Sequence, residues 1–168
     1  MGGLSNTPGA DLPLPPGRFI NAYLLDGSTV DMSVDGSSSN VTYKFTASGN
    51  VSIGRLILYM ETATAMADDE FGDATALVNG IDVICHTTTL ANWKDNIDIL
   101  STMFDYIDAG SAFGKTGRVL TGRWTFWKAD DSMRGLLLED GQEFKAVIKD
   151  NLATAPTTLR MRVQGIVL

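Results

Sequence analysis

The chain is predicted to be all-β, a sandwich of two packed sheets, on three observations. Short runs alternate apolar and polar residues, Asp-Gly and Asn-Gly pairs punctuate them, and only one brief stretch keeps a helical spacing. A single jelly roll is the first topology to expect, with about seven or eight strands and at most one short helix. An immunoglobulin-like sandwich comes second, because the Cys…Trp…Cys signature is missing from the chain.

Residues 1–17 hold four of the five prolines and four glycines. Proline removes backbone donors and glycine adds chain entropy, so this stretch is expected to be an extended arm outside the sandwich domain of residues 18–168. Leu12, Pro13, Leu14, Pro15 and Pro16 favour polyproline II, and seventeen residues span at most about 55 Å.

Phe19–Leu25 reads as the first strand, closed by Asp26-Gly27, and Thr29–Val34 as its hairpin partner. Val41–Thr46 alternates cleanly, with Val41, Tyr43 and Phe45 facing inward. Leu56–Met60 is apolar on both faces, which suits a central strand covered on both sides. Thr62–Asp73 is small, acidic and expected to be a long loop; Asp68, Asp69, Glu70 and Asp73 in it invite comparison with a Ca²⁺ site, at a spacing unlike an EF-hand. Ala76–Val78 and Ile81–Ile84 flank Asn79-Gly80 as a hairpin. Thr89 is placed as the cap of a short helix running through Asn96, followed by an extended segment from Ile97 to Tyr106.

The last third is the most strand-like. Gly122-Arg123-Trp124-Thr125-Phe126-Trp127-Lys128 is followed by Leu136–Leu138, a turn at Glu139-Asp140-Gly141, and strands over Phe144–Ile148 and Leu159–Ile166. Lys145 and Lys149 face outward on one of these strands, Arg160 and Arg162 on the other. Should the two strands be sheet neighbours, the four side chains form one basic strip suited to an acidic partner.

Several functions are excluded at this level. A net charge of −7 argues against nucleic acid as the main partner, and no apolar run reaches the roughly 20 residues of a membrane helix. The charge is uneven: ten acidic residues and one basic lie between Glu61 and Gly110, against nine basic and six acidic from Ser111 onward. Such asymmetry suits a protein that docks in a set orientation. The one cysteine, Cys85, forms no internal disulfide, and no secretory signal is recognised, so folding inside a cell is expected. Cys85 and His86 are adjacent in sequence, which on a strand puts them on opposite faces, and neither a zinc site nor a nucleophile pair is expected of them. Residues 109–116, Ala-Gly-Ser-Ala-Phe-Gly-Lys-Thr, echo a phosphate-binding loop, yet the following Arg118–Trp124 reads as strand where that loop requires a helix, so a Gly/Ser loop is expected. No catalytic constellation or cofactor site emerges.

Asn79-Gly80-Ile81, Asn92-Trp93, the Gly122–Lys128 run, Asp140-Gly141-Gln142, Val147–Leu152 and Leu159–Gly165 together resemble a group of tailed-bacteriophage virion proteins over roughly residues 75–168. The members are small jelly-roll capsid decoration, or cement, proteins. The resemblance implies a non-enzymatic protein without a cofactor, made in the host cytoplasm and carried on the capsid exterior. Its partner would be the major capsid protein, bound by a homo-oligomer, a trimer ahead of a dimer. The expected shell and subunit contacts are Leu12, Pro13, Leu14, Pro15 and Pro16 of the arm, with Lys145, Lys149, Arg160 and Arg162. Three alternatives stand beside it. They are a carbohydrate-binding module stacking sugars on Trp93, Trp124 and Trp127, a hydrolase with paired acids, and a tail or head–tail connector component of the virion.

Overall fold

The computed structural model describes residues 17–102, 106–111, 117–126 and 135–168, with the side chains of 106–111 left aside. The residues form two sheets packed face to face and one short helix. In the larger sheet, β1 (Phe19–Tyr23), β12 (Thr158–Val167), β3 (Val51–Glu61), β9 (Arg118–Thr125) and β8 (Tyr106–Ser111) lie side by side in that order. β10 (Leu136–Leu138) continues the line of β9 along β3. The smaller sheet runs β2 (Val41–Thr46), β11 (Glu143–Ile148), β6 (Ile81–Cys85), β7 (Thr88–Trp93). A two-stranded ribbon, β4 (Glu70–Phe71) with β5 (Ala74–Thr75), and helix α1 (Asn96–Thr102) complete the fold.

The pairing is nested. The first strand pairs with the last, β2 with β11, β3 with β9, and β6 with β7, all antiparallel. Successive pairs alternate between the sheets, so the inward residues of both meet in one core. Ile20, Leu56, Leu58, Met161 and Val163 enter it from the larger sheet, and Tyr43, Phe45, Ile81, Val83 and Phe144 from the smaller.

β3 begins earlier than the apolar run Leu56–Met60 suggests, because it is bulged. Gln164 faces Arg55 while Gly165 faces Ile53, so Gly54 is left over. An extra residue reverses the in–out phase of a strand. Val51 and Ile53 are therefore buried before the bulge and Leu56, Leu58 and Met60 after it. The bulge also fixes Gly165, where an added Cβ would lie 2.2 Å from the carbonyl oxygen of Ser52. Gly165→Ala is expected to destabilise by about 2–3 kcal/mol through backbone displacement, read as a lower urea midpoint at unchanged m-value.

Four sequence expectations are corrected. Residues 29–34 form no strand: Asp31 Oδ1 accepts from Ser33 N at 3.1 Å and Leu159 N at 3.2 Å, and this local turn replaces a ladder. Ala76–Val78 is not the partner of β6, which pairs with β7 and β11. The Asn79-Gly80 turn is held instead by the Asp150 carboxylate, which accepts from Val78 N, Asn79 N and Gly80 N at 3.3, 2.9 and 2.7 Å. The expected helix through Asn96 and extended segment from Ile97 are reversed: Thr88–Trp93 is strand and Asn96–Thr102 is helix. The helix starts at Asp95, whose Oδ1 accepts from Asp98 N at 2.8 Å, with Asp98 Oδ2 accepting from Lys94 N at 2.8 Å. Finally, Ala109, Gly110 and Ser111 belong to β8 rather than to a loop, and residues 112–116 lie outside the described residues.

Candidate docking site

The basic strip does not form. β11 lies in the smaller sheet between β2 and β6, while β12 lies in the larger between β1 and β3. Lys145 and Lys149 therefore look away from one side of the sandwich, Arg160 and Arg162 from the other. Outward orientation was readable from alternation; the sheet each strand joins depends on partners distant in sequence. Lys149 Nζ is tied to Asp82 Oδ1 at 3.0 Å, and Asn92 Nδ2 donates to the same oxygen at 2.6 Å. Lys145 faces Lys44 across the ladder, and Lys44 pairs with Glu143. Lys149 and Lys44 are thus each compensated locally by a carboxylate. The arm positions Leu12, Pro13, Leu14, Pro15 and Pro16 lie outside the described residues.

The arginines of β12 sit in a different setting. The register places Tyr23, Arg162, Ile57 and Arg123 in one row across the outer face of the larger sheet, with Arg160, Tyr59 and Thr121 in the next. Cross-strand side chains on one face stand about 5 Å apart, so the rows touch. Tyr23, Ile57, Tyr59, Thr121, Arg160 and Arg162 line a half-open hollow of about 220 Å³. Tyr23 is 39% exposed, and Tyr59 Oη donates to Glu61 Oε2 at 3.5 Å. Among the described residues, no carboxylate pairs with Arg160 or Arg162, and the buried Nε of Arg160 has no hydrogen-bond partner. Sequence reasoning located both arginines but missed Tyr23, Ile57, Tyr59 and Thr121. The alternation of Ile57 and Tyr59 was a usable signal, hidden because their inward neighbours are also apolar.

Other candidate chemistry dissolves into structural roles. Asp73 Oδ2 accepts from Ala63 N, Thr64 N and Thr64 Oγ1 at 2.9, 3.0 and 3.2 Å, and Glu70 Oε2 from Ala67 N at 3.0 Å. The acidic loop thus uses these two carboxylates to hold its own backbone, and among the described residues no three His, Cys, Asp or Glu side chains gather as metal ligands. Cys85 is buried in the core, and burial pushes its thiol up to about 11, away from a reactive thiolate at neutral pH. His86 turns the β6–β7 hairpin at a φ of 53° and is exposed. The sugar-stacking alternative needs an exposed aromatic row. Trp93 is instead fully buried, Trp124 packs 6.4 Å from it, and Trp127 lies outside the described residues.

No protein-family model matches the chain, and no curated protein or solved structure matches it either. Among the described residues, no helix is long and apolar enough to cross a membrane.

Proposed function

We propose that the protein is a non-enzymatic bacteriophage capsid decoration, or cement, protein of the jelly-roll type. It binds the outside of the major capsid shell as a homo-oligomer, a trimer ahead of a dimer, and is made in the host cytoplasm before joining the virion. The observation that carries the reading is the nested pairing of β1 with β12, β2 with β11, β3 with β9 and β6 with β7, alternating between two sheets. That is the order obtained by rolling a long antiparallel ribbon into a sandwich. The virion-protein resemblance of residues 75–168 supports the same reading. A sandwich with one continuous core suits adhesion, and a shell repeats its sites many times, so weak contacts add.

The arginine–tyrosine face of the larger sheet and the arm of residues 1–17 are the proposed contacts. The test uses expanded heads of the phage that encodes this chain, prepared without it. Added protein is expected to co-sediment at a saturating ratio, and removal of residues 2–16 to weaken retention at least tenfold. Absence of co-sedimentation by the intact chain overturns the function. Unchanged retention by the truncated chain overturns the role of the arm alone.

A further inference from the structure

We infer that the hollow on the outer face of the larger sheet accepts a carboxylate side chain, glutamate or aspartate, from a partner protein. Arg160 and Arg162 are two residues apart on β12 and face the same way, so their stems stand about 6.6 Å apart along the strand. A pair of guanidinium groups at that spacing can close on one carboxylate with charge-assisted hydrogen bonds. The buried Nε of Arg160 is a donor that folding has removed from water without giving it an acceptor. Such a group is costly to leave unmet and favours an incoming acceptor.

The remaining walls narrow the class. Ile57 and the rings of Tyr23 and Tyr59 form apolar sides that accommodate the methylenes of a side chain, and the Thr121 hydroxyl adds a further polar group. The volume of about 220 Å³ is below the roughly 300 Å³ at which drug-sized ligand pockets begin. A single side chain fits this volume. The overall charge of −7 also opposes a polyanion, whereas one carboxylate can pair locally with Arg160 and Arg162. A net-acidic protein with a local basic hollow engages an acidic partner in one orientation, since any other brings like charges together.

The choice of a protein as the source of the carboxylate rests on the docking reading above, and the following experiment separates the two. The probe is the peptide acetyl-Ala-Glu-Ala-amide, titrated into the full chain labelled with ¹⁵N while the arginine Nε–Hε resonances are followed. Those of Arg160 and Arg162 are expected to move and to saturate at millimolar peptide. Acetyl-Ala-Gln-Ala-amide should bind at least tenfold more weakly, and Arg162→Gln should abolish the response to the glutamate peptide. Arg160→Lys keeps the charge but not the fork, and is expected to weaken binding several-fold with the fold intact by circular dichroism. The proposal is overturned if the two resonances do not move or if the glutamine peptide acts equally well. Inorganic phosphate or an oligothymidylate binding tenfold tighter than the peptide also overturns it, by making the hollow a phosphate site. So does movement of the same resonances on simple dilution, which assigns the hollow to a second copy of the chain. A silent hollow in a chain that still sediments with heads removes this inference and leaves the decoration role; a responsive hollow in a chain that does not sediment does the reverse.

Discussion

Trp93→Ala is expected to lower stability by about 3–5 kcal/mol, the largest effect of any single truncation considered for this fold. The indole on β7 has no exposed surface. Its ring lies 6.4 Å from that of Trp124 on β9, Trp124 lies 5.0 Å from Phe126, and Phe126 lies 6.1 Å from Phe144 on β11. The tilted rings run from the smaller sheet to the larger and back, so this chain of contacts holds the layers together. Trp93 Nε1 also donates to Thr102 Oγ1 at 2.9 Å, which pins the last turn of α1. Alanine removes the rings' first member and leaves a cavity that the flanking strands cannot close, because the ladders fix their spacing. In a chain of 168 residues the loss corresponds to a fall in melting temperature on the order of 10 °C. Trp93→Phe retains much of the apolar volume and should recover at least half of the loss. Equal stability of the alanine variant and the parent in urea unfolding would show that the ring chain carries no weight.

Asn96→Ala is expected to cost about 3 kcal/mol, although the side chain removed is small and polar. Asn96 is 3% exposed at the start of α1. Its Nδ2 donates to Ala67 O at 2.7 Å and Gly72 O at 3.0 Å, and its Oδ1 accepts from Gly72 N at 2.9 Å. One side chain thus bonds three backbone groups of the acidic loop, and alanine would leave the N–H and carbonyl of Gly72 buried without these partners. The loop should then open locally, with faster hydrogen exchange at Gly72, while exchange in β12 slows or quickens only with global stability. Asn96→Asp keeps the acceptor but turns the donor end into a carboxylate facing two carbonyl oxygens, so it is expected to be no better. A loss below about 0.5 kcal/mol, the ordinary range for surface changes, would contradict this account.

Strands whose alternation is unbroken were legible almost to the residue. β2, β11 and β12 lie where Val41–Thr46, Phe144–Ile148 and Leu159–Ile166 place them, because one face of each meets the core and the other faces outward. Where a local signal competes with tertiary pairing, reading failed. Leu90, Trp93 and Ile97 have helical spacing, yet Trp93 faces Ile81 and Ala91 faces Val83 across a ladder formed by a tight turn at His86. That turn has no glycine to announce it, and His86 adopts the left-handed backbone itself. The true helix start, Asp95 followed three residues later by Asp98, was present as a capping pattern but lay beneath the stronger apolar spacing. The docking hollow was legible only in halves. Alternation turned Arg160 and Arg162 outward, but their neighbours Ile57 and Tyr59 come from a strand about a hundred residues earlier, and nothing local joins the two.

The nested pairing has a consequence for how the protein comes into being. β3, the longest of the described strands, is flanked on one side by β9 and on the other by β12. Both neighbours are synthesised long after it, so a nascent chain emerging from the ribosome carries β3 with both edges bare. Exposed apolar edges recruit other chains, and contacts closed over such sequence distances form slowly. Until β12 arrives and β1 zips onto its far side, the half-made chain is expected to be at its most prone to aggregate with its own siblings.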